Sequence, residues 1–444
     1  MLSLFKSCSS AFCFLTIVSL CFFLVPVAVQ AAKRKDLGSS SEKVETRLFR
    51  KLNLKNYGSW LVRYGDLNGD GEADILFVQV DRKRRITCLT AIEMNGRILW
   101  QQGKPNKRHY SITADAPVQI VDFYGDARNE VVLSEGGYIK VLEGETGTLI
   151  KSAPKSCIDG LFFMKSSIEK PGLDRLFCKT SHFSFSALDT DFNVLWSGLG
   201  NLGHYPLELD DQSSGIRGLL YGFGFYNLEG VKIWSLGNLG PHNDAADVGD
   251  IDNDGDVEIA LASSCPGYLV SSMGQIKWKR PIKHAQHAII GCFRKPRDQR
   301  QITFVDRQEA GTIITFDKDG KELWRSSPQG MLTMISALSG WSVQKEMESI
   351  IAFRRSLGPP VIIDGYGKVI TVLPMFKRGD KELYKEQHFV QHFNAFNEES
   401  EAIFINNRNT LWIYRRRGAK STSTPVSQSQ NPRLYNASFY IGMQ

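Results

Sequence analysis

The residues best suited to chemistry in this 444-residue chain lie in one short run, Gly249-Asp250-Ile251-Asp252-Asn253-Asp254-Gly255-Asp256-Val257-Glu258-Ile259-Ala260. Counted from Asp250, carboxylates occupy the first, third, fifth, seventh and ninth positions, and glycine the sixth. A loop that turns oxygens inward at alternate residues, bends at a glycine and closes with an acid can surround a hard cation of calcium size. Without the ion the five acids repel one another. A second run, Gly65-Asp66-Leu67-Asn68-Gly69-Asp70-Gly71-Glu72-Ala73-Asp74-Ile75-Leu76, repeats the pattern. The expected Ca2+ ligands are therefore Asp66, Asn68, Asp70, Glu72 and Asp74 in one loop, and Asp250, Asp252, Asp254, Asp256 and Glu258 in the other. An EF-hand would place its closing acid three residues later and flank the loop with helices. Here Ile-Leu-Phe-Val and Ile-Ala-Leu-Ala follow at once, which read as buried strands.

Those loops need a frame that repeats, and the sequence supplies one. Seven tight turns lead into strands that often carry tryptophan: Asn95-Gly96 before Trp100, Thr146-Gly147 before Ile150, Phe192-Asn193 before Trp196, Glu229-Gly230 before Trp234, Met273-Gly274 before Trp278, Asp319-Gly320 before Trp324, and Tyr366-Gly367 before Ile370. Their spacing of 38 to 51 residues indicates a propeller or solenoid, and units of three or four short strands select the propeller. Each turn follows an acidic loop in some state of erosion. Of the first, third, fifth and ninth acids, Asp122-Phe123-Tyr124-Gly125-Asp126-Ala127-Arg128-Asn129-Glu130 keeps the first, fifth and ninth, while the loops ending at Glu348 and Glu401 keep only the ninth. Eight such loops predict an all-β, eight-bladed β-propeller with calcium-binding loops, seven blades being the runner-up. Because 388–417 lacks the Gly-Trp turn, it should complete the ring by pairing with chain from the N-terminal side.

The remaining features set the address and the partners. Lys6 and a 19-residue, mostly apolar run from Ala11 to Val29, ending in Val29-Gln30-Ala31, predict a signal peptide over 1–31, or else an uncleaved N-terminal membrane anchor. Residues 32–46, with Gly38-Ser39-Ser40-Ser41, read as a flexible spacer, and 47–444 as the propeller with a C-terminal tail. An exported protein meets enough calcium to fill weak sites. Cys88, Cys157, Cys178, Cys265 and Cys292 remain after the leader; an odd, widely spaced set predicts core thiols rather than a disulfide framework. Net charge is +7, with basic clusters at 81–85, 104–108, 277–283 and 414–417. On an exported protein these favour an acidic glycan or a cell-envelope protein as partner, not nucleic acid. No nucleophile elbow, phosphate loop or zinc-spaced Cys/His group is present in the sequence.

The two acidic loops resemble the FG-GAP and VCBS-type repeats of exported calcium-dependent propellers, of which the integrin α head is a relative. A narrower resemblance joins Gly240-Pro241-His242-Asn243-Asp244-Ala245, His284-Ala285-Gln286-His287-Ala288, Gly291-Cys292-Phe293-Arg294 and Gly311 to Trp324 to the rhamnogalacturonan lyases of polysaccharide lyase family eleven. Those enzymes are longer and carry an extra β-rich module, and several of their calcium loops are eroded here. The resemblance implies β-elimination on galacturonate, in which calcium or arginine neutralises the sugar carboxylate and a base removes the C5 proton. Within the matched blocks His242, His284 and His287 could serve as base and Arg294 as carboxylate partner. Two functions follow: an exported calcium-stabilised propeller that binds an extracellular ligand, or a polysaccharide lyase.

Overall fold

The computed structural model describes residues 43–422, apart from 59–60, 84, 107–115, 159, 165–172, 182, 201–202, 204–205, 238, 298, 329–333, 345, 354–358 and 374–388. The expected leader, most of the spacer and the C-terminal tail lie outside these residues. Among the described residues thirty-two strands form eight antiparallel sheets of four, seven of them pairing their strands in chain order. Blades 1 to 7 cover 61–103, 118–154, 160–199, 207–235, 245–280, 285–326 and 334–372. Blade 8 takes three strands from 389–416, and its fourth is Thr46–Asn53, which pairs antiparallel with Thr410–Arg416. The ring is therefore an eight-bladed β-propeller closed by its own N-terminal strand, as the missing last hairpin predicts. No helix among the described residues is long and apolar enough to cross a membrane.

First strands of neighbouring blades touch one another at five of the eight interfaces, which puts the first strands innermost. Eight hydrophobic clusters fill the eight gaps between blades, one for each interface around the ring. Burying a sheet on both faces removes alternation from the second strands, which explains runs such as Asp74–Val80 and Glu258–Ala262, buried throughout.

Tryptophan and glycine at the hairpins are partners across blades. Trp100, Trp196, Trp234 and Trp324 donate their indole N–H to carbonyls of Gly144, Leu228, Ser272 and Gly365 in the next blade. Gly147, Gly230, Gly274 and Gly367 of that next blade then lie on the same indole, where an added Cβ would stand under 3.0 Å from the ring. All four also have positive φ, so both backbone and contact exclude a side chain. Where blade 2 carries Lys151 in the tryptophan's place, blade 3 replaces glycine with Phe192 at φ 66°, and the Lys151 ammonium lies 5.4 Å over that ring.

Antiparallel order fixes the two faces of the ring. Turns between first and second strands share one face with the hairpins between third and fourth strands, here the loop face. Turns between second and third strands share the other with the connections from blade to blade, here the linker face.

Candidate functional site

The two intact acidic loops occupy the loop face of blades 1 and 5, four blades apart and so across the ring. Both have the same conformation. Asp250 accepts from the N–H groups of Asn253 at 2.7 Å and Gly255 at 3.0 Å; Asp66 accepts from Gly69 at 2.7 Å and Gly71 at 2.8 Å. The fourth and sixth residues have positive φ in each: Gly69 and Gly71, Asn253 and Gly255. This winding turns the odd-numbered side chains inward. In blade 5 one oxygen from each of Asp250, Asp252 and Asp254 lies within 4.8 Å of the others, and Asp252 Oδ1 is buried with no hydrogen-bond donor. An all-oxygen set with an orphaned carboxylate oxygen fits a hard divalent ion. In blade 1 the third residue is Asn68, whose amide reaches Asp70 Oδ2 at 3.0 Å, so that loop is partly satisfied by itself.

The closing acids of the two loops do something the spacing does not reveal. Asp74 Oδ2 accepts from Leu67 N–H at 2.8 Å and Glu258 Oε2 from Ile251 N–H at 3.1 Å, each clamping the second residue of its own loop. Burial pushes Asp74 up to about 7, and Asp70 and Asp66 push the same way. Burial also raises Glu258, opposed by its hydrogen-bonded partner Lys277. Of the seventh-position acids, Asp256 accepts from Ser213 of blade 4 at 2.6 Å, while Glu72 is exposed.

The four residues offered as base and carboxylate partner do not assemble. His242 and His284 lie in the connections into blades 5 and 6, on the linker face, and both meet Asp244. His242 Nε2 stands 3.1 Å from Asp244 Oδ1, and His284 Nε2 3.8 Å from Asp244 Oδ2. Asp244 is 1% exposed and also accepts from Gln286 at 3.0 Å and from Ser264. Arg307 extends the group, donating to Gln286 Oε1 at 3.1 Å. His287 lies in the innermost strand Ala285–Gly291. Arg294 follows that strand and so falls on the opposite face, its guanidinium 5.7 Å over Tyr366 of the blade 7 hairpin. Seven residues of strand separate it from His284 by about 20 Å. Sequence spacing does not mark Asp244, Ser264 or Arg307, because each comes from a different turn or connection; the one available signal is an aspartate two residues after His242.

Two other expectations need correction. Cys157 and Cys178 form a disulfide within blade 3 and the connection leading to it, whereas Cys88, Cys265 and Cys292 keep their thiols outside any disulfide. The basic clusters are not all open surface. Lys277 is paired with Glu258, Arg280 lies 5.3 Å over Trp278, and Arg415 pairs with Glu398 between Phe49 and Phe396.

No family model matches the chain, and no curated protein does. Solved structures do. Rhamnogalacturonan lyase YesW superposes with a TM-score of 0.62 at 14% identity, over 87% of this chain and 77% of that one. BamB from Moraxella catarrhalis gives 0.55 at 12%, over 84% and 98%, and the V. cholerae biofilm matrix protein Bap1 gives 0.52 at 12%, over 84% and 91%. At these identities the likeness shows the fold alone.

Proposed function

We propose that this chain is an exported, calcium-stabilised β-propeller that binds an extracellular acidic polysaccharide through its linker face. The reading rests on the separation of His242 and His284 from Arg294 and from both acidic loops. β-Elimination requires a base and a carboxylate neutraliser on one sugar ring, and these groups stand at opposite ends of the innermost strands. The acidic loops instead tie first to second strands within a blade, where Ca2+ would stabilise the native state by mass action. Asp250, Asp252 and Asp254 would hold the ion in blade 5, and Asp66, Asn68 and Asp70 in blade 1. Export is supported by the leader and by the Cys157–Cys178 bridge, which suits an oxidising compartment. A glycan array in calcium, paired with a pull-down from envelope extracts, tests the proposal. Retention of uronate-containing polymers supports it; an array empty of acidic glycans sinks it, and a protein captured alone would move the partner to the cell envelope.

One observation favours the second reading. A buried carboxylate that holds one histidine, His242, at 3.1 Å, with His284 3.8 Å away, is a general-base arrangement, and Arg307, which donates to the Gln286 bound to that carboxylate, would take the place of Arg294 as the carboxylate partner. New ultraviolet absorbance from unsaturated uronate, released from pectic polymers and lost in His242→Ala, would establish the lyase; none across a panel of such polymers would end it.

A further inference from the structure

We infer that the cleft along the third and fourth strands of blade 4, opening toward the linkers that flank the blade, is the subsite for a single uronate ring, an assignment that rests on the acidic-glycan reading and gives it a location. The cleft encloses about 540 Å³, within the roughly 300–1,000 Å³ of small-molecule sites. Leu199, 77% exposed, and exposed Pro241 give its lining an apolar part open to solvent. Nothing lies within 4 Å of where a Cβ would stand at Gly200 or Gly237, so the lining is open at both. One wall is Tyr226, against which Trp196 stacks with centroids 6.1 Å apart. The Lys232 ammonium lies 5.4 Å over the Tyr226 ring and has no ion pair among the described residues. Ser235 also lines the cavity, its hydroxyl accepting from Gly237 N–H at 3.3 Å.

This is the chemistry of an amphipathic, singly charged ring. The C–H face of a pyranose would cover Leu199 and Pro241, removing apolar surface from water. Its hydroxyl edge would meet Ser235, and its carboxylate would take the Lys232 ammonium, which a neutral hexose would leave attached only to the aromatic face. Pro241 precedes His242, so a ring seated here places the next sugar of a chain beside the His242–Asp244–His284 group.

Trp196 makes the cleft observable. The full chain, titrated with galacturonate and separately with galactose while indole fluorescence is followed, should show a saturable change with galacturonate only. Lys232→Glu should weaken that binding about tenfold or more, as loss of a charged hydrogen bond with added repulsion requires. Lys232 is on an exposed outer strand, so the fold should survive, which circular dichroism would verify. Gly224→Phe, at a position whose Cβ would make only ordinary contact with Tyr226 at 3.5 Å, should block the cleft by filling it. Equal responses to both sugars, no response, or galacturonate binding unchanged in Lys232→Glu would overturn the assignment. If polymers still bind on the array while the cleft fails, glycan binding belongs elsewhere on the ring; if neither binds, the parent proposal fails as well.

Discussion

In blades 1 and 5 the acids of the turn face one another, whereas in blades 7 and 8 the ninth-position acid is held by the preceding blade. Glu348 accepts from Cys292 N–H of blade 6 at 2.7 Å. Glu401 accepts from Ser339 N–H of blade 7 at 2.8 Å and lies 3.0 Å from His392 Nδ1, while His392 Nε2 stands 2.7 Å from Ser336 Oγ. The same ninth-position acid thus clamps its own loop in blades 1 and 5 and ties two blades together in blades 7 and 8. The sequence pattern alone makes blades 7 and 8 look decayed. The structure shows an exchange instead, in which directed hydrogen bonds between blades do work that an ion would do within one.

That contrast is open to attack, most forcefully at Glu401. Replacing it with alanine leaves the Ser339 N–H and the fully buried His392 without their acceptor, a loss of about 3 kcal/mol. The deficit, measured by urea denaturation, should be the same in calcium and in chelator. A calcium-dependent deficit would mean that blade 8 does not differ in kind from blades 1 and 5.

Blade 5 should behave in the opposite way. A site filled at one hundred times its dissociation constant adds about 2.7 kcal/mol, so chelation should lower the melting temperature of the wild type. Asp252→Ala should lose most of that increment in calcium and little in chelator. Equal melting temperatures for mutant and wild type in saturating calcium would remove the metal from the account.

Blade 2 lies between these extremes, and its response to pH should show it. Burial pushes Glu130 up to about 7, with Asp126 and Asp122 pushing the same way, from an ordinary value of 4.5. The folded state binds this proton more tightly than the unfolded chain, so ionised Glu130 is a penalty on folding above pH 7. The penalty shrinks as pH falls through 7 and is gone below 4.5, so this group makes the fold more stable on mild acidification. Glu130→Gln should flatten that part of the stability profile. A profile unchanged by the substitution would mean that the carboxyl carries no such penalty.

Much of this was legible from residue types. Period-two acids with glycine at the sixth position placed the loops, because that winding needs left-handed backbone at fixed sites, and Gly69, Gly71 and Gly255 have it. Glycine before tryptophan marked the hairpins, and the missing last hairpin marked where the N-terminal strand enters. What stayed hidden depends on neighbours across blades. The indole of one blade meeting the glycine of the next, His284 approaching Asp244 from a separate connection, and Cys157 reaching Cys178 all join residues 20 to 50 positions apart, with no local pattern to announce them. Arg294 shows the converse. It lies ten residues from His284, but an intervening strand carries it to the other face.

The smallest effect tests the loop conformation itself. The blade 2 loop keeps the winding of the intact ones: Asp122 accepts from Gly125 at 2.6 Å and from Ala127 at 3.2 Å, and Phe123 N–H donates to Glu130 at 2.8 Å. Its sixth residue is alanine at φ 68°, where a Cβ crowds the backbone and the left-handed region is disfavoured by about 1–2 kcal/mol. Ala127→Gly removes that strain but loosens the unfolded chain, which offsets about 0.4–1 kcal/mol of the gain. The net should be a stabilisation of roughly 0.5–1 kcal/mol, seen as a higher urea midpoint with unchanged slope. Asn253→Gly, at φ 62° in blade 5, should gain less, because asparagine tolerates this region better than alanine. If both changes destabilise, the winding is not imposed by its hydrogen bonds to the first aspartate, and the likeness between the eroded loop and the intact ones would be one of outline only.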